Sequence, residues 1–140
     1  MTDAPKPPTT LELIWEHDLV LAGRSGAATM TLDSGSTGGP SPMQALAFAL
    51  AACMAMDVVY VLKKGRYDLR GLRVDLSGTR QAEPPRRFTA FTLRFTVTGP
   101  IAPDAVERAV QLSRDKFCSV WHSLREDIRL ETAFTVSGGV

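Results

Sequence analysis

Polar and hydrophobic positions alternate along several stretches of this chain, and one long stretch is almost continuously apolar. That stretch, 41–64, predicts a long helix that we expect to be buried on most sides. Ser41 and Gln44 have the spacing of a capping box at its start. Pro42 suits the first helical position, and Gly65 is expected to end the helix. The helix is long enough to cross a membrane, but its alanines and its one acidic residue favour a buried central helix.

Alternating patterns predict five strands around this helix. The first two form a hairpin around a turn at 22–26, and the next two form a second hairpin around a proline-containing loop. The fifth strand closes the chain. The predicted strands are 11–21, 28–32, 69–79, 91–97 and 128–136.

A second helix is predicted to open at Pro103, followed by a short helix or turn through Leu124. The element order is therefore β-β-α-β-β-α-(short α)-β, which indicates an α+β fold with mainly antiparallel sheets. We expect residues 1–10 to form a flexible, proline-rich tail and residues 11–140 to form a single domain. One chain of this length can hardly cover so apolar a helix, so the pattern also favours a homodimer.

Charge and cysteine content narrow the function classes. The 16 basic and 15 acidic side chains nearly balance, so neither a nucleic acid nor a membrane is an expected partner. The polar start of the chain does not have the pattern of a signal peptide. Together with only two cysteines, this predicts a reducing, cytoplasmic location.

The two cysteines are the candidates for chemistry. Cys53 lies in the middle of the long helix, where a cysteine commonly serves as a small hydrophobic residue. Cys118 is predicted at the N-terminus of the short helix, where the helix dipole would lower the pKa of its thiol. The patterns alone leave open whether either thiol is reactive or merely buried.

Other polar residues have structural and functional interpretations. Arg24, between Gly23 and Gly26, is a solvated turn charge unless it faces a thiol, whose thiolate it would stabilise. His122 follows Cys118 by four residues and could pair with it. Asp57, one turn after Cys53, could be structural, could hold an arginine or could make a dimer contact. With two cysteines and two scattered histidines, no metal site is expected.

Two motifs carry a family resemblance. The segment 42–53, Pro-x-x-Ala-Leu-Ala-x-Ala-Leu-Ala-Ala-Cys, resembles the first-cysteine motif of the OsmC/Ohr family, which includes the organic hydroperoxide resistance proteins. The segment 116–120, Lys-Phe-Cys-Ser-Val, resembles the second-cysteine motif. These motifs are most similar to those of the divergent OsmC-like branch. The resemblance runs from about Leu13 to Val136.

This resemblance implies an intertwined homodimer with two active sites at its interface. It also implies a thiol-dependent peroxidase that reduces organic hydroperoxides in defence against oxidative stress. Cys53 would be the peroxidatic thiol, Cys118 the resolving thiol, and Arg24 the arginine that completes the site. The two cysteines would form a disulfide that an external dithiol reduces, with no bound cofactor.

The sequence departs from the family pattern at one position. Well-studied members have a glutamate ten residues before the first cysteine, which steadies the arginine, whereas this chain has Met43. The departure favours an alternative function, in which the fold binds an apolar ligand in the interface cleft or senses redox state without catalysis.

Overall fold

The computed structural model describes residues 4–138, which group into one unit that ends at Leu46 and another that begins at Ala47. Residues 4–10 form no helix or strand, and the start of the predicted tail lies outside the described residues.

The first unit contains a three-stranded antiparallel sheet in the order β1-β2-β3. Its strands are β1 (Glu12–His17), β2 (Val20–Ser25) and β3 (Ala28–Asp33). The prediction of one strand over 11–21 was therefore wrong, because a tight turn divides it. Asp18 adopts a left-handed backbone conformation with φ 44°, which aspartate tolerates better than most residues. Consequently Arg24 lies on β2 rather than in the turn, which has Gly26 at φ 60°.

The loop after β3 is organised by Asp33. Its carboxylate accepts hydrogen bonds from the Gly35 N–H at 2.8 Å, the Gly38 N–H at 2.9 Å and the Thr37 hydroxyl at 2.9 Å. These donors stabilise the ionised form, led by the Gly38 N–H, and lower the pKa of Asp33 to about 2. The glycine-rich loop is thus built around an internal anion.

This loop should respond to pH in a specific window. Because the folded pKa of Asp33 lies below its ordinary value of 3.8, its stabilising effect is complete above that value and is lost as the pH falls towards 2. We expect the amide signals of Gly35 and Gly38 to titrate by NMR with a midpoint near 2, and this titration to vanish in Asp33→Asn. A midpoint near 3.8 would contradict the hydrogen bonds.

The long helix α1 spans Pro42–Lys64. The predicted capping box is confirmed: the Gln44 N–H donates to Ser41 Oγ at 3.2 Å, and the Ser41 N–H donates to Gln44 Oε1 at 3.0 Å. The helix ends before Gly65 as predicted, although the left-handed residue there is Arg66, with φ 64°.

Only one face of α1 is fully buried in the single chain. The buried residues recur every four positions: Leu50, Met54, Val58 and Leu62. A second apolar row is offset from it by two residues, about 200° around the helix, and is exposed. In that row Phe48 is 66%, Met56 69% and Tyr60 64% exposed. A single chain therefore leaves part of this apolar helix uncovered, in line with the expectation that one chain can hardly cover it.

The second unit contains another three-stranded sheet, in the order β4-β5-β6. The strands β4 (Gly71–Arg80) and β5 (Phe88–Thr98) form the predicted antiparallel hairpin. The alternation on β5 is also confirmed, because its four buried apolar residues on one face are Phe91, Leu93, Phe95 and Val97.

Strand β6 (Arg129–Ser137) pairs with β5 in parallel. The sheets are therefore mainly antiparallel, as predicted, and this pair is the parallel exception. A parallel pair needs a crossover of a dozen or more residues, which the helical segment between the two strands supplies. That segment contains α2 (Pro103–Leu112), a π-helical turn (Ser113–Phe117) and the short α3 (Ser119–His122). The α+β class is confirmed.

Candidate functional site

Cys53 and Asp57 occupy successive turns of α1, so their side chains project from the same face of the helix. Both side chains are half-buried, and both belong to the second unit. The site therefore begins with a thiol and a carboxylate fixed on a rigid element.

The π-helical turn places Cys118 against this pair. The wide turn is closed by a hydrogen bond from the Cys118 N–H to the Ser113 carbonyl at 2.8 Å. It leaves Cys118 as the N-cap of α3, with extended backbone, and its Sγ accepts a hydrogen bond from the Trp121 N–H at 3.3 Å. π-Helical turns occur frequently at functional sites.

The three side chains form one cluster. The Sγ atoms of Cys53 and Cys118 and a carboxylate oxygen of Asp57 all lie within 4.8 Å of one another. Both cysteines are free thiols. Two sulfurs this close can form a disulfide with a small local movement, since the bond length is about 2.05 Å.

Ser113 holds the carboxylate in place. It is fully buried, and its hydroxyl donates to Asp57 Oδ2 at 2.8 Å, across 56 residues of sequence. The sequence analysis missed Ser113 because a single serine in a helical pattern gives no signal of what it will contact. Asp57 was noted, and the structure shows that it contacts a hydroxyl and lies beside the thiols rather than holding an arginine there.

The thiol of Cys118 is protonated at neutral pH. The residue is 0% exposed, and burial raises the pKa of its thiol to about 11, with smaller contributions in the same direction from Cys53 and Asp57. The Trp121 N–H acts in the opposite direction but is outweighed. The predicted lowering of this pKa by a helix dipole was therefore wrong, because α3 has only four residues and the thiol is buried.

This raised pKa predicts slow alkylation of Cys118. At pH 8 a thiol with a pKa near 11 has more than about a hundredfold less thiolate than an ordinary cysteine. In Cys53→Ser, where Cys118 is the remaining cysteine, burial still raises its pKa, so we expect iodoacetamide to react much more slowly with folded than with urea-unfolded protein. Equal rates would contradict the burial and the raised pKa.

The remaining candidates have other contacts. Arg24 is exposed in the first unit, where its guanidinium donates to Glu12 of the neighbouring strand at 3.0 Å. The His122 Nε2 lies 3.0 Å from the carbonyl oxygen of Arg114, so the ring is engaged with backbone rather than with a thiol. His17 is exposed beside Asp18. Among residues 4–138, Cys53, Asp57 and Cys118 are the group of side chains that could hold a metal ion.

A family model described as OsmC-like protein matches residues 32–133, which include the whole cluster. The chain belongs to the OsmC-like family. Arg24 lies outside the matched range, whereas both cysteine motifs lie inside it.

Individual relatives agree with this family. Protein YhfA of Escherichia coli is 39% identical over 125 residues, covering 87% of this chain and 93% of YhfA. A hypothetical protein of Aquifex aeolicus has a similar structure, with a TM-score of 0.87, 23% identity and coverage of 94% of this chain and 98% of that one. An organic hydroperoxide resistance protein OsmC of Legionella pneumophila has a TM-score of 0.70 at 16% identity, covering 95% and 100%.

Family membership also clarifies α1. By length and a mean hydropathy of 2.2 the helix could cross a membrane, and 22% of its most apolar window is buried in the chain. However, its buried row packs inside the second unit, and Asp57 in its middle is hydrogen-bonded to Ser113. We therefore interpret α1 as the core helix of a soluble OsmC-like fold.

Proposed function

We propose that this protein is a thiol-dependent peroxidase that reduces organic hydroperoxides. The observation that carries the proposal is the pair of free thiols, Cys53 and Cys118, within 4.8 Å of each other beside a carboxylate. The OsmC-like family and its redox-related members, including the organic hydroperoxide resistance protein of Legionella, support the same class of chemistry.

The difference in burial supports different roles for the two thiols. Cys53 is half-buried and can meet a peroxide, whereas Cys118 is fully buried and stays protonated at neutral pH. A protonated thiol is a poor nucleophile. We therefore assign Cys53 as the peroxidatic residue and Cys118 as the resolving residue.

The reaction then proceeds in three balanced steps. The Cys53 thiolate attacks the distal, hydroxyl-bearing oxygen of the peroxide, and the O–O bond breaks. The sulfur becomes a sulfenic acid, and the alkoxide takes a proton from the solvent and leaves as an alcohol. The Cys118 sulfur attacks the Cys53 sulfur, forming the disulfide and releasing water that contains the sulfenic oxygen and the Cys118 proton. An external dithiol reduces the disulfide and is itself oxidised.

Arg24 remains in the proposal as the guanidinium that stabilises the attacking thiolate. Met43 cannot hold this guanidinium in place as a glutamate would. However, Glu12 on the adjacent strand has a carboxylate oxygen 3.0 Å from a guanidinium nitrogen of Arg24. Because this pair is exposed, its contribution to stability is small, and its use would be orientation.

A homodimer is part of the same proposal. Two apolar surfaces are exposed in the single chain: the second row of α1 and the apolar residues of β1, a strand that is exposed along its whole length. Exposed apolar surface of this kind is typical of an interaction site. A second copy of the chain would cover both with matching apolar surface. We also propose a cytoplasmic location, where thiols remain reduced and dithiol reductants are available.

The alternative is a function without catalysis, either binding of an apolar ligand or sensing of redox state. Met43 in place of the family glutamate favours it, as does the exposed methionine at position 56, because methionine side chains adapt to varied ligands. It predicts saturable binding of hydrophobic molecules and no peroxide consumption.

The two functions are distinguished by adding one equivalent of an organic hydroperoxide to the reduced protein. We expect both free thiols to disappear, a Cys53–Cys118 disulfide to appear in peptide mass spectra, and turnover to follow when a dithiol is supplied. Hydrogen peroxide in parallel should react more slowly. Thiols that survive in the folded protein would contradict the peroxidase and leave ligand binding as the function.

A further inference from the structure

The dithiol and the carboxylate also form a set of metal ligands. Cys53, Cys118 and Asp57 each offer one ligand atom, and the three atoms lie within 4.8 Å of one another. We propose that the reduced protein binds Zn²⁺, or a soft divalent cation of the same class, at these three residues, and that the bound metal withholds both thiols from peroxide. The protection of the thiols rests on the proposed peroxidase function, whereas metal binding does not depend on that function.

The spacing suits tetrahedral coordination. With Zn–S near 2.3 Å and Zn–O near 2.1 Å, tetrahedral angles place two sulfurs about 3.8 Å apart and sulfur and oxygen about 3.6 Å apart. The observed limit of 4.8 Å exceeds these separations by about 1 Å, which small side-chain rotations can close. Three protein ligands leave a fourth position for water.

The surrounding groups support the ligands as such groups do in known metal sites. The Ser113 hydroxyl holds Asp57 Oδ2 at 2.8 Å and leaves the other carboxylate oxygen for a metal. The Trp121 N–H already donates to the Cys118 sulfur at 3.3 Å, a contact that favours a thiolate. Both contacts orient ligands in advance and lower the cost of assembling the site.

Metal binding and disulfide formation use the same atoms and therefore exclude each other. On binding, the two thiols release their protons to the solvent and two Zn–S bonds form, with no change in oxidation state. Oxidation joins the sulfurs and replaces two anionic thiolates with one neutral disulfide, which is a poor ligand for Zn²⁺. The metal-bound state would thus store the reduced site in an unreactive form.

Direct titration of reduced, metal-free protein tests the binding without any peroxide. We expect one Zn²⁺ per chain by calorimetry, and with Co²⁺ as a probe, the thiolate-to-metal absorption and strong visible bands of a tetrahedral site. Asp57→Asn should weaken binding at least about tenfold. Asp115→Asn, an exposed aspartate of the π-helical turn, should leave the affinity unchanged.

The possible results test metal binding and the protection of the thiols separately. Absence of stoichiometric binding, or a Co²⁺ spectrum without thiolate absorption in the unmodified protein, would overturn the metal site and needs no variant to fold. Binding that Cys118→Ser leaves unchanged would also overturn it. Peroxide turnover that a bound equivalent of Zn²⁺ fails to slow would overturn the protective effect, whereas binding in a protein that never consumes peroxide would contradict only the peroxidase.

Discussion

Replacing Cys53 with serine is expected to reduce hydroperoxide turnover by at least about a thousandfold, to the background rate. A hydroxyl cannot replace the thiolate as nucleophile, and the second thiol is too buried and too fully protonated to take over. Consumption of an organic hydroperoxide in the presence of a dithiol measures the effect. The unfolding transition of the variant should match that of the unmodified protein, because serine is close to cysteine in size.

Cys118→Ser provides the matched comparison. Its Cys53 should react with the first equivalent of peroxide at a similar rate, since that step does not use the second thiol. Without a resolving thiol the sulfenic acid should then persist or be overoxidised to the sulfinic acid, which mass spectrometry detects. Full turnover in Cys53→Ser, or steady turnover without overoxidation in Cys118→Ser, would contradict the assigned roles.

The elements that the sequence predicted well are those with strong local signals. The capping box of Ser41 and Gln44, the alternation on β5, and the hairpin it forms with β4 all depend on residues close in sequence. The cysteine motifs likewise pointed to the correct family and to the two thiols that the structure brings together.

The errors arose where distant residues decide the outcome. The alternation of 11–21 gave no sign of the turn at Asp18, because a polar residue fits the solvent face of a strand as well as a turn. The pKa of Cys118 depends on burial by groups far along the chain, which outweighs the local dipole. The contact between Ser113 and Asp57 joins two segments whose proximity only the tertiary fold creates.

The two apolar rows of α1 explain why its sequence predicted a helix that is buried on most sides. One row is covered by the chain itself, whereas Phe48, Met56 and Tyr60 remain exposed. A single sequence shows how much of a helix is apolar, but it does not show whether the cover comes from the same chain or from a second copy.

Introducing a charge into the exposed row, as in Met56→Glu, should therefore prevent the proposed dimer. In a symmetric dimer each change occurs twice, so two methionines lose about 1.5–3 kcal/mol of burial each and two carboxylates would have to be desolvated. A loss of at least about 4 kcal/mol corresponds to about a thousandfold increase in the dimer dissociation constant. Light scattering after size exclusion, at several protein concentrations, would measure the change from dimer to monomer.

Two further variants separate loss of the interface from a general effect of the substitution. Met56→Leu keeps the apolar surface and should remain dimeric, because exchanging methionine for leucine conserves volume. Gln111→Glu adds the same negative charge to the exposed face of α2 and should also remain dimeric. If Met56→Glu keeps the mass of a dimer while both controls behave as expected, the apolar row of α1 is not the dimer interface. If the unmodified protein is already a monomer at micromolar concentration, the homodimer itself is wrong.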